Sequence, residues 1–519
     1  EDAAEALIQP CLLVGPTLFP SRPNSIRSMN RLFFFLLLLS LFSFLTSPSV
    51  AEPEQDDFYK ITSIPLPDAV VLEGGAIELM PGGKVAICTR RGQIWTVENA
   101  HSYPDKDPVW TLFAEYLHEP LGLAWHDGWL YVVQRPEVTR LKDEDGDGRA
   151  DLFETVSDEW GISGNYHEYN FGTRFDKEGY LWAPLCLTGS FTSMEKYRGW
   201  VLRIGAEGKT IPTASGVRSP GGIGFNASGD VFYTDNQGAW NGSSSLKWIK
   251  PGGFLGNPNG NIWYEYASKE MGKRPLDPPY TDEGSRIESE RERIPELVPP
   301  AVVFPHQEVG NSPTVVETDH SGGKFGPFTE QVFVGEQTHS KIHRVFLEKV
   351  NGYYQGAMFP FLEGFASGNI AVRITPEGQL YTSGSNRGWG ARGGKNGALE
   401  RVDWTGKMPF SIHEMRATSD GFEISFTKPI APETAVDSAF PMEAHTYIYQ
   451  KAYGSPRVDE LDPKVTVTSV SEDGKSVKLK VEPFTKGHVH TIYFEGLRAK
   501  DGSALWQPKA FYTLNEIPE

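Results

Sequence analysis

Cysteine is nearly missing from this chain: three in 519 residues, at positions 11, 88 and 186. So few thiols exclude a disulfide-stapled scaffold and a cysteine-rich zinc module. Cys88 and Cys186 each fall inside an apolar, strand-like run; the alternatives are a pair or two buried free thiols, and free thiols are expected there. No CxxCH occurs, which excludes covalently attached c-type haem. Excess positive charge is missing too. Lys and Arg total 49 against 67 Asp and Glu, a formal charge of −18 with no basic tract to offset it. That argues against a phosphate backbone or an anionic membrane surface as partner, so nucleic acid is not expected.

One long apolar run exists, at residues 32–45. Arg31 precedes it, and Ser49-Val50-Ala51 follows it as a small-residue cleavage site. The run is short for a membrane span and leads into acidic, polar sequence. Residues 29–51 are therefore read as a signal peptide and residues 1–28 as a spurious or unstructured extension ahead of it. The body is expected to be exported, to the periplasm or the extracellular space. A membrane enters only if the segment stays uncleaved.

What is plentiful is glycine (54), proline (38) and aromatic residues, at 12%. This composition favours many short strands joined by turns. A pattern of strand, glycine-bearing turn, strand, and third strand with Arg or Trp recurs six times, starting at Glu73, Glu119, His167, Arg218, Asn311 and Ser367. The spacing, about 50 residues, belongs to propellers and similar arrays. A six-bladed β-propeller over roughly 60–405 is predicted, all-β in class. Residues 255–303 interrupt it as a polar, proline-rich insertion, either lid-like or partly disordered. Residues 410–519 lose the repeat and read as a small immunoglobulin-like β-sandwich.

The segment LKDEDGDGRADLFE, at 141–154, carries the ligand spacing of a calcium loop. Asp143, Asp145, Asp147, the Arg149 carbonyl, Asp151 and Glu154 fill the ligand positions, and Gly148 takes the sharp turn. The preceding VTRL reads as a strand, so a structural calcium clip on the second blade is expected, not a helix-based sensor.

In a propeller the entrances to the innermost strands gather at one mouth. The same place in each repeat holds Glu73, Glu119, His167, Arg218, His306 with Asn311, and Ser367 with Asn369. Ionisable groups converging on a concave mouth suit binding or acid–base work. His167 is the best candidate for a general base, since a neutral imidazole can take a hydroxyl proton. The blander reading makes it a surface histidine capped by Glu168. Arg218 offers a fixed charge for an alkoxide or cofactor oxygen, or else a salt bridge across a blade boundary. Trp200 is expected in packing, while Trp240 and Trp389 are open between packing and stacking on a sugar ring.

The segments YHEYNFGTRFDKEGYLW and GVRSPGGIGFNASGDVFYTDNQGAWNG resemble the glucose/sorbosone dehydrogenase superfamily. FVGEQTHSKIHRVFLEKVNGYYQG and SNRGWGARGGKNGALERVDWTG look closer still to secreted proteins of the membrane-bound dehydrogenase type. The resemblance implies a propeller that binds calcium and pyrroloquinoline quinone (PQQ) and oxidises sugar or polyol hydroxyls, passing electrons to an external carrier. It makes His167 the base, Arg218 its partner at the quinone and Gln237 a cofactor-contacting amide. Gly238 and Ala239 would supply backbone carbonyls to calcium. The chain departs from the pattern at Leu187, where an acid should orient the histidine. QTHS (337–340) lacks a lysine for the quinone carboxylates, leaving Arg387 and Arg392 for that task. The rival from another class is a non-catalytic, calcium-stabilised propeller binding carbohydrate or protein. A calcium-dependent lactone hydrolase is weaker, for want of a carboxylate and amide cage.

Overall fold

In the computed structural model, residues 52–279 and 284–519 are described. The extension and signal segment expected over 1–51 lie outside them. Among the described residues, no helix is long and apolar enough to cross a membrane.

Strands dominate, and most form four-stranded antiparallel sheets in meander order. The first sheet holds Gly74–Met80, Lys84–Thr89, Gln93–Glu98 and Val109–Ala114. The second holds Gly122–His126, Trp129–Val133, Val138–Lys142 and Leu152–Ser157. Arg174–Phe175, Leu181–Pro184, Trp200–Ile204 and Thr210–Ser215 make the third. Pro220–Phe225, Val231–Asp235, Ser244–Trp248 and Pro300–Phe304 make the fourth. The fifth begins with Pro313–Thr318, Val332–Glu336, Lys341–Val350 and Tyr353–Leu362. The sixth takes Ala371–Ile374, Gln379–Ser385 and Gly397–Trp404, and its outer strand is Tyr59–Ile64 from the opposite end of the chain, with Tyr59 opposite Trp404. This all-β arrangement is consistent with a propeller. Strands such as Val231–Asp235 and Pro313–Thr318 are buried along their whole length, because both faces of their sheets are covered.

The inner strands approach so closely that only glycine fits in places. A Cβ on Gly222 would meet the Val315 Cα at 2.4 Å, and one on Gly221 the Pro313 carbonyl at 2.0 Å. A gap of about 10 Å³ lies between the inner strands, no more than the room of a single water. Beside it an ion-pair network ties four inner strands: Arg373 to Glu78 at 3.0 Å and to Glu317 at 3.1 Å, with Arg174 to Glu317 at 3.5 Å.

The C-terminal strands form two sheets over one core. Ile412–Ala417, Gly421–Phe426, Ser476–Glu482 and Lys464–Val470 make one. Its strand SVKLKVE shows the expected period of two, with Val477, Leu479 and Val481 buried and Lys478 and Glu482 exposed. The other sheet is not free-standing, as a separate sandwich would have it. Lys509–Leu514 pairs with Tyr353–Leu362, setting Tyr512 opposite Ala357, and His488–Tyr493, Met442–Tyr447 and Arg457–Leu461 follow. One eight-stranded sheet therefore runs from the fifth repeat into the C-terminal region. The shared core mixes Phe346, Ala357 and Phe359 with Phe410, Phe422 and Tyr512.

Among the described residues of the insertion, none lines the cavity beside His167. Tyr264–Met271 and Ile287–Arg293 are helices, and Tyr264, Ala267 and Met271 bury against Trp200 at the outer edge of the third sheet. Trp200 is fully buried and its Nε1 donates to the Gly260 carbonyl at 2.7 Å, a packing role.

Candidate functional site

A cavity of about 300 Å³ opens where the inner-strand entrances of several sheets meet. His167, Arg218, Gln237, Arg387, His306 and Asn311 all line it, with Arg90, Tyr169, Gln337, Trp389 and Tyr453. Among the described residues its wall carries three arginines and no carboxylate.

The acids expected at the mouth stand behind those arginines. Glu73 bonds Arg387 at 2.7 Å, and Glu119 bonds Arg90 at 3.5 Å and Arg135 at 3.3 Å. Ser367 and Asn369 face inward as well. Ser367 Oγ donates to the Lys395 carbonyl and Asn369 Nδ2 to the Lys341 carbonyl, so both brace backbone.

His167 follows a short turn in which its own N–H donates to Asn165 Oδ1 at 3.0 Å. Its ring packs edge-on against Tyr166 at 4.7 Å and Trp389 at 5.7 Å. Burial, and then the Arg218 charge, hold the imidazole below its ordinary pKa, so it is neutral near pH 7. The neighbouring Glu168 does not cap it. That fully buried carboxylate accepts instead from the Ser163 N–H at 2.7 Å and the Thr188 hydroxyl at 2.9 Å. Leu187, at the place of the orienting acid, is fully buried and donates its N–H to the Arg218 carbonyl.

Arg218 opens the fourth repeat and is 4% exposed. Its Nη1 donates to the carbonyls of Gln237 at 2.6 Å and Asn236 at 3.3 Å. Among the described residues its Nε is buried without a hydrogen-bond partner, and no carboxylate pairs with its guanidinium. A buried cation neutralised only by carbonyl dipoles suits an anion in the cavity. Its backbone is fixed by a device the sequence reading missed. Asp235, ending the second strand of the same sheet, accepts the N–H groups of Arg218 at 3.3 Å and Ser219 at 2.8 Å. Glu336 ends the second strand of the fifth sheet and does likewise for Asn311 at 3.0 Å and Ser312 at 2.7 Å. Burial pushes the Glu336 carboxyl up to about 7, against those bonds. Aligning YTDNQG with FVGEQTH places Asp235 and Glu336 at one repeat position, and that signal was available in the sequence.

Calcium at Gly238 and Ala239 does not fit. The Gly238 carbonyl accepts from the N–H groups of Asn241 and Gly454, both at 3.1 Å, and the Ala239 carbonyl accepts from Asn257 Nδ2 at 3.1 Å. The Arg218 charge already sits on the adjacent Gln237 carbonyl. Gln237 lines the cavity, but its Nε2 donates to the Gly242 carbonyl at 3.1 Å. Arg392 does not reach the cavity: its side chain is exposed, and only its N–H is held, by the Thr338 carbonyl. Trp240 is buried against Tyr449 at 5.2 Å and packs, whereas Trp389 is 46% exposed on the cavity wall. Cys88 and Cys186 are both buried and free, and burial pushes the Cys88 thiol up to about 12.

The 141–154 loop joins two strands, Val138–Lys142 and Leu152–Ser157, well outside the cavity. Asp143, Asp145 and Asp151 bring carboxylate oxygens within 4.8 Å of one another. Asp147 turns back on the Arg149 N–H at 2.8 Å, and Arg149 reaches towards Glu115 at 3.9 Å. Glu154 is drawn to Arg140 at 2.6 Å across the hairpin. The strand register, not a helix, sets Glu154, and so the twelfth position leaves the cluster.

Sequence-remote Tyr453 completes the wall. It sits in the turn between Met442–Tyr447 and Arg457–Leu461 and bridges to Ala239, with its ring 5.0 Å from the Arg218 guanidinium.

Among solved structures, the chain is similar to sugar dehydrogenases. The PQQ-bound aldose sugar dehydrogenase of Streptomyces coelicolor matches at 15% identity and TM-score 0.48, over 68% of this chain and 100% of that one. The soluble aldose sugar dehydrogenase of Escherichia coli, in apo form, matches at 13% and 0.45, over 66% and 99%. The PQQ domain of pyranose dehydrogenase from Coprinopsis cinerea matches at 11% and 0.44, over 69% and 99%. No curated protein matches. The family model described as "Domain of unknown function (DUF7133)" matches residues 105–382, more than half the chain, and the chain belongs to that family.

Proposed function

We propose that this chain is an exported, closed six-bladed propeller that oxidises a sugar or polyol hydroxyl with an acidic quinone of the PQQ type as acceptor. The observation that carries the reading is the pairing in one cavity of a neutral imidazole, His167, with a buried guanidinium, Arg218, that has no carboxylate partner. The donor set fits an acidic ligand. Arg218 and Arg387 would hold its carboxylates, with Arg90 beside them and the Gln337 amide at the wall. When bound, such a quinone supplies a hydride acceptor.

The remaining work falls to the chain's own residues. His167 takes the proton from the substrate hydroxyl, which it can do because it is uncharged at neutral pH. Arg218 stabilises the negative charge that develops as that proton leaves. Trp389 and Tyr166, stacked at 5.6 Å, hold the imidazole from the side. The orienting carboxylate has no counterpart here, so aromatic packing fixes the ring instead. An external carrier would take the electrons. The acidic loop at 143–154 takes calcium structurally through Asp143, Asp145 and Asp151, remote from the chemistry.

The test is dye-linked oxidation of a sugar and polyol panel with quinone and calcium added. Turnover that requires the quinone supports the reading. No turnover on any substrate, with no quinone binding by absorbance or fluorescence, overturns it. A non-catalytic carbohydrate- or protein-binding propeller is the second reading. The specific observation in its favour is that the Gly238 and Ala239 carbonyls are already engaged by protein donors.

A further inference from the structure

Two large exposed aromatic side chains, Trp389 and Tyr453, line the cavity, and each pairs with a further exposed ring beside it. Tyr453 is 59% exposed, Phe191 53%, Trp389 46% and Tyr166 42%. They come as two pairs, and each pair adjoins one of the two residues placed in the chemistry. Tyr166 and Trp389 stack at 5.6 Å with an interplanar angle of 23°, and both touch His167. Phe191 and Tyr453 meet at 6.1 Å, and both rings lie within 6 Å of the Arg218 guanidinium, at 5.9 and 5.0 Å.

Exposed rings gathered at the mouth of a cavity that also carries polar groups are the lining expected of a ligand site. The rings do not form one continuous apolar patch. On the cavity wall Trp389 and Tyr453 are interspersed with guanidinium and amide groups. That mixture matches a sugar chain, whose rings show apolar C–H faces to an aromatic and hydroxyl edges to polar donors. The Tyr453 turn is also held firmly enough to act as a wall. Trp240 N–H donates to the Gln450 carbonyl at 2.7 Å, Gly454 N–H to the Gly238 carbonyl at 3.1 Å and Ser455 N–H to the Gly242 carbonyl at 3.0 Å. Gly454 has φ +68°, and a Cβ there would strike the Gln237 side chain at 2.7 Å, so the turn seats directly on the cavity wall.

We infer that the mouth binds an oligosaccharide, not a lone sugar, and that Tyr453, delivered by the C-terminal region, is its specificity-determining residue. The inference rests on reading the cavity as a sugar site. One ring occupies the cavity by His167 and Arg218, and further rings of the chain lie on the two aromatic pairs. Tyr453 does not take part in proton transfer. It selects substrates by length.

The test is calorimetric binding to the full exported chain of glucose and of gluco- and xylo-oligosaccharides of increasing length, without any oxidation readout. Affinity is expected to rise about tenfold from one ring to three in at least one series, the worth of one good aromatic stack. Tyr453→Ala should remove most of that gain, while Tyr453→Phe should keep it. Phe191→Ala, in a separate loop, should give a partial loss of the same kind, so misfolding of one variant leaves the other decisive. Affinity independent of length, or alanine variants that bind the longer chains as the native protein does, overturns the inference. Length-dependent binding without turnover overturns only the oxidation. Turnover of single sugars with no length dependence overturns only the oligosaccharide.

Discussion

The guanidinium of Arg218 helps keep the imidazole of His167 uncharged, although the two are contributed by different repeats. Burial contributes first and the cation second, and both disfavour a proton on the ring. The sign is that of a depressed pKa: the unfolded chain binds the proton more readily below pH 6.5, so folding weakens as pH falls from there through the lower folded value. In an NMR titration His167 should give its midpoint below 6.5. Arg218→Gln should move it upward and Arg218→Lys much less. An unchanged midpoint in Arg218→Gln would show that the two groups do not sense each other.

His167→Gln should remove turnover, by about 10²- to 10⁴-fold, while near-UV circular dichroism and urea midpoint stay close to native. The side chain is only part buried, and among the described residues no carboxylate pairs with it. Residual activity within tenfold of native would strip His167 of the base role.

Calcium should raise the thermal midpoint, and a chelator should lower it to a common baseline. Asp145→Asn or Asp151→Asn should abolish the calcium response and leave ligand binding at the cavity intact, since the loop lies elsewhere. Glu154→Gln should keep most of the response, because Glu154 is committed to Arg140. Identical melts with calcium and chelator would remove the metal from this loop.

Arg344 joins the fifth sheet to the chain beyond it. It is 1% exposed, sandwiched between Phe328 and Phe359 at 4.0 and 4.2 Å, and donates to Gln331 Oε1 and to the carbonyls of Ile412 and His413. Arg344→Ala leaves those acceptors buried and opens a cavity, and should cost about 3–5 kcal/mol in urea denaturation. A loss under about 1 kcal/mol would mean water satisfies the acceptors freely.

The repeat was legible because each copy carries the same short-range chemistry, strand and glycine turn, and the entrances at His167, Arg218 and Asn311 follow from one repeat position. The inner acids were less so. Glu73 and Glu119 read as site groups in sequence, but a carboxylate beside Arg387 or Arg90 pairs with it and leaves the wall. Spacing suggested five carboxylates for calcium, yet spacing cannot foresee that strand pairing carries Glu154 to Arg140. Tyr453 was invisible, because nothing local marks a turn that docks on residues 238–242. From polarity alone the insertion read as lid-like or partly disordered, and only packing reveals that Tyr264, Ala267 and Met271 serve the third sheet.

The pairing of Tyr353–Leu362 with Lys509–Leu514 has a practical consequence. Cutting the chain near residue 409 would not release a tidy domain. It would strip a protective flank from a long, mostly apolar strand and present its bare amides and carbonyls as a template for self-association. A shortened protein should therefore be sticky as well as incomplete, and any homologue that lost the tail would need charges, proline or another strand along that border to remain dispersed.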